Sequence, residues 1–301
     1  MSSFQNLLGR LRANLSLDKK VRRQRRQEWS KRILEKRTKA AKFAVSYSVW
    51  DGEELLAASI HQIRGQVDYI NVVWQGKSWT GMPGNPNLKQ ELEELQRQGL
   101  IDELIEYHSL CNETYQEPAK RQLGLDAAIR AGCNYFMTMD TDEFYIEEQF
   151  AQAKKFMIER KIDHGFVLIK LYGSSPKKQW IHNEKTPHQV PFFTRIDLGS
   201  SIGRDKKCPY PYIADPSRQI VMYPSARFML IPGIAMHHMT YIRKDLGRKM
   251  EGSSAARTFA ERDWLGEINL QSSEVEDQFE LLPLMEKWDG QRSSKENSEL
   301  K

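Results

Sequence analysis

The stretch Tyr135-Phe136-Met137-Thr138-Met139-Asp140-Thr141-Asp142-Glu143 decides the fold class of this chain. A mainly apolar run leads directly into two carboxylates that stand one residue apart. A short apolar run that ends at a turn predicts a buried strand. Ligands of open α/β sheets bind at the carboxyl ends of the strands, so the acidic turn predicts a binding site at this position.

The segments before this strand alternate between strand and helix patterns. In order, they predict a strand at 43–49, a helix capped by Asp51 and Glu54, a strand at 67–74, a charged helix ending at Gln98, a short strand at 104–107 and a helix at 119–131. Successive β-α-β units imply parallel strands joined by right-handed crossovers. The predicted fold class is therefore α/β, with a doubly wound, mostly parallel sheet.

The segments after the acidic turn are less regular. They predict a strand at 165–172, Pro-rich loops over an active site at 176–223, two strands at 226–231 and 234–241, and a helix from Arg243. The expected organisation is a basic helical arm at 1–42, a single catalytic domain at 43–285 and a disordered tail at 286–301.

Charge is distributed unevenly along the 301 residues. Residues 1–42 carry fourteen Lys or Arg against three acids, a net charge of +11, and the chain's +5 leaves −6 for the remainder. An apolar stripe precedes the basic run; it consists of Phe4, Leu7, Leu8, Leu11 and Leu15. This pattern is typical of a helix that lies on an anionic membrane surface, and equally of a surface helix that packs on the catalytic domain.

The sequence also bears on the cellular location of the protein and on whether it has a cysteine-based zinc site. No apolar run is long enough to span a bilayer, and no signal-peptide pattern begins the chain, so a cytoplasmic protein is expected, peripheral on the inner membrane face. The three cysteines show no paired spacing that would indicate a zinc site.

Asp140 and Asp142 are the candidate metal ligands. Two carboxylates at a strand end can together hold a hard divalent cation, Mn²⁺ or Mg²⁺, which keeps its other positions for diphosphate oxygens and water. Such an ion offsets the charge that builds up on a leaving nucleoside diphosphate. Because the turn is expected to be exposed, replacing Asp142 with Asn should remove a ligand and leave the fold intact.

At this point the chain resembles the GT-A glycosyltransferases, particularly family 2 and related bacterial enzymes. The resemblance rests on residues 120–124 and 134–143, which match the family's helix, strand and Asp-X-Asp motif in order, and it covers roughly residues 43 to 250. It implies a GT-A-like form of the predicted α/β fold, and transfer of a sugar from a nucleotide-sugar donor to a glycan or lipid-linked acceptor, as in lipopolysaccharide or other surface-polysaccharide synthesis. The chain departs from the family at 73–78, where the usual acidic ending of the second strand is absent.

The resemblance also implies a ligand at the late His pair. In metal-dependent members a His from this position often completes the metal shell, and the resemblance favours His238 over His237. Adjacent strand residues face opposite ways, so at least one of the two is structural. The residues expected to bind the nucleotide-sugar are Ser46, Tyr47, Ser48, Trp50, Asp51, Lys120, Arg121, Asp140, Thr141, Arg243 and Lys249.

Several roles stay open at this stage. Trp50 can stack on a base or fill the core, and Asp51 can bind a ligand or only cap its helix. An inverting enzyme needs a catalytic base, for which Asp215 is the candidate, with Asp205 and Asp245 as alternatives. A turn residue before Pro216 is the competing explanation of Asp215.

Two rival functions remain. A sugar-nucleotide pyrophosphorylase would show a Gly-rich phosphate loop after the first strand, where this chain has 47–52 without such a loop. A nucleic-acid-binding protein, or a glycosyltransferase directed to DNA, would use the basic arm, although the −6 charge of the remainder disfavours extended contact with phosphate backbones.

Overall fold

The computed structural model describes residues 41–78, 81–108, 117–181, 188–221, 225–252, 266 and 269–288. The predicted arm, apart from its last two residues, lies outside these ranges, as does the tail beyond residue 288. Residues 282–288 are helical and Trp288 is buried, so ordered structure continues into the first residues of the predicted tail. None of the helices in the described ranges is long and apolar enough to cross a membrane.

The strands described form an eight-stranded sheet and a separate two-stranded ribbon. Along the chain they are β1 (Phe43–Val49), β2 (Tyr69–Trp74), β3 (Glu103–Glu106), β4 (Tyr135–Asp140), β5 (Glu143–Phe144), β6 (His164–Leu171), β7 (Lys178–Trp180), β8 (Gln189–Arg195), β9 (Phe228–His238) and β10 (Ser272–Glu274). The spatial order in the large sheet is β3-β2-β1-β4-β8-β6-β9-β5, while β7 pairs with β10. The predicted α/β class with a mostly parallel sheet is confirmed.

Helices lie between the strands, four of them where the sequence pattern predicts a helix; the helix that follows the acidic turn was not predicted. They are α1 (Glu53–Arg64), α2 (Leu88–Arg97), α3 (Glu117–Arg130), α4 (Glu147–Glu159) and α5 (Leu246–Gly252). The prediction that Asp51 caps α1 is wrong, because Gly52 occupies the cap position with φ +78° and no side chain caps this end. The buried face of α3 also differs from the predicted stripe. Leu123 is exposed, whereas Lys120 and Arg121 are buried because their charges have partners inside the protein.

The prediction of loops throughout 176–223 is wrong, since β7 and β8 lie within it. Every residue of β8 is buried, and the strand lies in the middle of the sheet between β4 and β6. Pro191 obscured it, because proline is rare in central strands. The structure accommodates this proline beside a register shift between His164 and Phe166 of β6.

The two predicted strands at 226–231 and 234–241 are one strand, β9. Gly233 lies inside it with φ +76°, and the pairing with β6 shifts register between Phe166 and Leu168. An interior glycine at a bulge bends a strand without ending it, which is why the sequence indicated a break.

The topology brings the carboxyl ends of several strands to one edge of the sheet. β1 runs parallel to β2 and β4, and β6 runs parallel to β9. The intervening β8 is antiparallel to both β4 and β6, so these two groups point the same way. The carboxyl ends of β1, β2, β4, β6 and β9 therefore meet on one side of the molecule, where the sequence predicts a site.

Candidate active site

A pocket of about 530 Å³ opens at this edge of the sheet. It is lined by Ser48, Trp50, Asp51, Gln75, Glu117, Lys120, Arg121, Asp140, Thr141, Asp142, Glu143, Ile169, Val190, Ala214, Asp215, Ser217, Arg218, Met236, His238, Lys249 and Gly252. The acidic turn after β4 and the His at the end of β9 thus face one cavity. They are brought together because β5 pairs with β9, in a register that places Glu143 opposite His238.

Asp142 is the most deeply placed carboxylate of the predicted metal pair. Its side chain is 1% exposed, and Oδ2 accepts a hydrogen bond from Arg243 while Lys249 Nζ lies 3.5 Å away. Burial alone would raise the pKa of Asp142, but Lys249 and Arg243 outweigh it and hold the pKa well below its usual range. The expectation of an exposed turn is therefore corrected: Asp142 belongs to a buried ion pair with a side chain, Arg243, that is also 1% exposed.

The other carboxylate oxygen of Asp142 accepts no hydrogen bond from the described residues. This oxygen, Oδ1, is buried, and His238 Nε2 stands 3.6 Å from it. Unpaired buried carboxylate oxygens are costly in a folded protein. This oxygen and the imidazole nitrogen therefore form a place where a ligand is favoured.

His237 and His238 face opposite sides of β9. His237 is fully buried, its Nδ1 lies 2.6 Å from the Tyr172 hydroxyl, and its ring packs against Phe279. Burial lowers the pKa of His237 to about 3, which keeps the ring neutral. His238 lines the pocket instead, so it is the one of the two that can meet a ligand there.

Asp140 is held by two arginines. Arg218 donates to its Oδ2 at 2.6 Å and Arg121 to its Oδ1 at 3.3 Å. Burial raises the pKa of Asp140, but the two guanidinium groups outweigh this and lower it. Arg218 also contacts both oxygens of Glu143, whose pKa is raised by burial. Arg218 thus forms ion pairs with two carboxylates of the acidic turn.

Asp215 lies in the pocket, yet both of its oxygens are engaged. Oδ2 accepts from Arg121 and from Arg218 Nε, each at 3.0 Å, and Oδ1 accepts from the backbone and hydroxyl of Ser217. The pKa of Asp215 is raised by burial but lowered further by the two arginines, so it stays below its usual range. A carboxylate held in this way is a weak proton acceptor. The alternatives, Asp205 and Asp245, do not line the pocket.

The residues predicted around the end of β1 divide between pocket and core. Ser48, Trp50 and Asp51 line the pocket, whereas Ser46 and Tyr47 do not. Both are buried and bonded inside the fold, Ser46 to Asn71 and Tyr47 to Ser59 on α1. They lie too deep in the strand to reach a nucleotide.

The ring of Trp50 already contacts other groups of the protein. The Arg248 guanidinium lies over the ring at 5.4 Å from its centroid, and Arg248 Nε pairs with Asp51 at 3.2 Å. The backbone at Gly252 is so close that a Cβ built there would lie 2.2 Å from the ring. Trp50 therefore forms a packed wall of the pocket, and a stacking role for it would require Arg248 to move.

Lys120, Arg121, Thr141, Arg243 and Lys249 all lie at the site. Lys120 is buried in the pocket wall and pairs with Glu117 at 2.5 Å. The Thr141 hydroxyl donates to the Asp51 carbonyl and fixes the acidic turn to the end of β1. Arg243 lies behind the lining, over Gly52, where a Cβ would come within 1.7 Å of its Nη1. Only a glycine leaves this arginine room to reach Asp142.

Sequence reasoning missed four residues with prominent places in the pocket: Gln75, Glu117, Glu143 and Arg218. Glu143 carried a usable signal, since a charged residue between Asp142 and an aromatic run needs a buried partner. Arg218 carried none, because a lone arginine in a segment without periodicity does not reveal that it folds back onto β4.

The residues present fit a divalent cation at Asp142 and His238. Asp142 Oδ1 is the orphaned atom, and a carboxylate and a neutral imidazole are both suitable donors. No three acidic, His or Cys side chains group as a metal site within the described part of the chain. Ions such as Mg²⁺ commonly bind through one or two protein groups plus substrate phosphates and water, so two donors suffice.

No protein-family model and no curated protein matches the sequence. Among solved structures, the chain is similar to S. aureus TarS 1-349, with 11% identity and a TM-score of 0.37 over 75% of this chain and 76% of that one. It is also similar to GalNAc-T7 with UDP, GalNAc and Mn²⁺, with 10% identity and a TM-score of 0.38 over 71% and 48% of the two chains. A further match, TarS 1-349 in complex with UDP, has 16% identity and a TM-score of 0.33, and the aligned part spans 43% of this chain and 36% of that one. The likeness to these structures is distant.

Proposed function

We propose that this protein is a metal-dependent glycosyltransferase that moves a sugar from a nucleoside-diphosphate donor to a hydroxyl group of a glycan or lipid-linked acceptor. The observation that carries the proposal is the open, buried Oδ1 of Asp142 beside His238 Nε2, at the carboxyl edge of the sheet and within reach of several cations. Such a place suits a divalent cation together with an anionic ligand.

Asp142 and His238 would hold Mn²⁺ or Mg²⁺, and Asp140 would join them by giving up one of its two arginine contacts. When bound, the ion would stabilise negative charge on the leaving nucleoside diphosphate. His238 would bind as the neutral ring. Thr141 would keep the turn at the end of β1, so that the carboxylates stay aimed into the pocket.

Lys249 would bind the diphosphate, and Arg243 would add its positive charge from behind Asp142. Lys249 Nζ lines the pocket 3.5 Å from Asp142, and Arg243 lies directly behind the same carboxylate. Charge-assisted hydrogen bonds from such groups to phosphate oxygens are short and strong. Lys120, Ser48, Asp51 and Trp50 line the remaining wall, where we place the nucleoside.

Asp215 is proposed to orient Arg121 and Arg218, and its role as base is disfavoured by its partners. A base must be able to take a proton near the working pH, and the pKa of Asp215 is held below its usual range. In its place, Asp215 would hold both guanidinium groups beside the acidic turn, so that one of them can leave Asp140 when an ion binds. The transferred proton is then accepted by a group other than Asp215.

The acceptor is proposed to lie at an anionic membrane surface. The proposal rests on the sequence of the arm, where the stripe from Phe4 to Leu15 precedes a dense basic run. The full chain is expected to sediment with anionic liposomes at low salt and to be released as salt screens the basic residues. A deletion of residues 1–40 should stay in the supernatant and keep turnover on a soluble acceptor. Equal sedimentation of the two proteins would contradict this proposal.

The activity is tested by nucleotide release with UDP-, GDP- and dTDP-sugars and added Mn²⁺. The variant His238→Ala is expected to raise the Mn²⁺ concentration required for half-maximal rate about tenfold or more, because the ion loses a ligand; a tenfold change in affinity corresponds to about 1.4 kcal/mol. His237→Ala is the matched control: it should lower stability through loss of the Tyr172 contact and leave the Mn²⁺ requirement unchanged. Full activity after chelation, or equal Mn²⁺ requirements in the two variants, would count against the proposed site.

A further inference from the structure

The acidic and basic side chains around the pocket are equal in number. Its lining contains six carboxylates, namely Asp51, Glu117, Asp140, Asp142, Glu143 and Asp215. Six cations pair with them, namely Lys120, Arg121, Arg218, Arg243, Arg248 and Lys249. Each carboxylate has at least one of these cations within 4 Å. The charges of the side chains around the pocket therefore compensate one another.

The charge balance of the pocket disfavours the binding of either ligand alone. A divalent cation entering alone would add uncompensated positive charge to a largely desolvated site, and a diphosphate alone would add uncompensated negative charge. Buried uncompensated charge is strongly disfavoured. The two ligands together restore neutrality, because the charge of the ion offsets that of the diphosphate.

A divalent cation and a nucleoside diphosphate that share this pocket are expected to bind cooperatively; we infer that in this chain Lys249 couples them by moving from Asp142 to the diphosphate. The inference rests on the proposed function and adds a mode of regulation to it. Binding of the ion at Asp142 releases the lysine, and the released lysine is the partner that the diphosphate needs. By thermodynamic linkage, each ligand raises the affinity for the other by the same factor.

Lys249 is the cation best placed to move. Its side chain is 27% exposed and lies on α5 at the mouth of the pocket, whereas that of Arg243 is 1% exposed. Arg243 is also confined by Gly52 and Thr141. A long flexible lysine at a partly exposed position can change partner with little rearrangement of the fold, whereas Arg243 keeps its place.

The test measures Mn²⁺ binding by electron paramagnetic resonance, and UDP binding by calorimetry, each with and without the other ligand. For the full chain, Mn²⁺ affinity is expected to rise about tenfold or more when UDP is present, within the usual range of coupling between sites. Lys249→Gln should bind Mn²⁺ alone several-fold more tightly than wild type, because one carboxylate charge is no longer compensated. The same variant should bind UDP more weakly and lose most of the coupling.

Lys155→Gln is the control, since Lys155 is 77% exposed on α4 outside the pocket. Because Mn²⁺ also binds free UDP, the decisive quantity is the difference between Lys249→Gln and this control. Equal Mn²⁺ affinities and equal coupling in the two variants would overturn the inference while leaving the proposed function standing. If neither UDP nor GDP, ADP or dTDP binds with or without Mn²⁺, the proposed function fails and the inference fails with it.

Discussion

The Asp142→Asn variant is expected to lose sugar transfer about a thousandfold, because the charge stabilisation supplied by a metal ion contributes several kcal/mol and each 1.4 kcal/mol is a factor of ten. The substitution removes the open Oδ1 carboxylate atom beside His238 as a charged ligand. Single-turnover rates with a saturating donor measure the loss. A variant with rates within threefold of wild type would show that Asp142 holds no metal.

The same substitution is expected to cost stability, because it leaves Arg243 buried without its carboxylate. Removal of one partner of a buried ion pair costs about 3–5 kcal/mol. The double variant Asp142→Asn with Arg243→Met should regain much of this loss in urea unfolding and stay inactive. Asp102→Asn, which breaks the more exposed pair with Arg64, is the control and should cost about 1 kcal/mol or less. Restored activity in the double variant would contradict the metal role.

Arg218→Met is expected to cause the largest loss of stability, on the order of 3–5 kcal/mol or more. Arg218 is buried and is the shared partner of Asp140, Glu143 and Asp215. Without it, these carboxylates face one another with Arg121 as the remaining nearby cation for two of them. Urea unfolding measures the change, and Arg64→Met, at a more exposed pair, is the matched control with an expected cost of about 1 kcal/mol or less.

The Arg218→Met substitution is also expected to reverse the direction in which the free energy of unfolding changes with pH. In wild type the pKa values of Asp140, Asp142 and Asp215 are lowered by their cations, so their contribution is present above about pH 4 and is lost as the pH falls further. In Arg218→Met, the carboxylates of Asp140, Glu143 and Asp215 lose this guanidinium group, so their pKa values should rise. Their protonated forms are then favoured in the folded state, so the variant should become less stable as the pH rises above about 4, the ordinary pKa of these groups in the unfolded chain. A variant that follows the wild-type profile would show that Arg218 does not hold these groups ionised.

The sequence predicted those parts of the molecule that depend on local patterns. Strand β4 and its acidic turn follow from an apolar run that ends in Asp140, and β1 follows from strict alternation. The meeting of Asp142 with His238 follows from topology, because parallel strands end at one edge. The choice of His238 over His237 came from a resemblance, and the structure supplies a physical reason in the opposite faces of β9.

The missed features depend on contacts between distant segments. Strand β8 is buried between neighbours that come from elsewhere in the chain, and Pro191 hid its pattern. Arg218 reaches Asp140 across 78 residues of sequence, and Arg243 reaches Asp142 across 101. Local periodicity carries no information about such pairs. For the same reason the acidic turn was expected to be exposed, since the cations that allow its burial could not be located.

The close approach of Arg243 to Gly52 links two positions that lie far apart in the chain. Any side chain at residue 52 would occupy the space of the guanidinium group, and the backbone there has φ +78°. In the evolution of this fold, a lineage that keeps the arginine has to keep the glycine, whereas a lineage that loses the arginine is released from that requirement. The two positions should therefore vary together among descendants of this chain, and in a redesigned active site they would have to be exchanged as a unit.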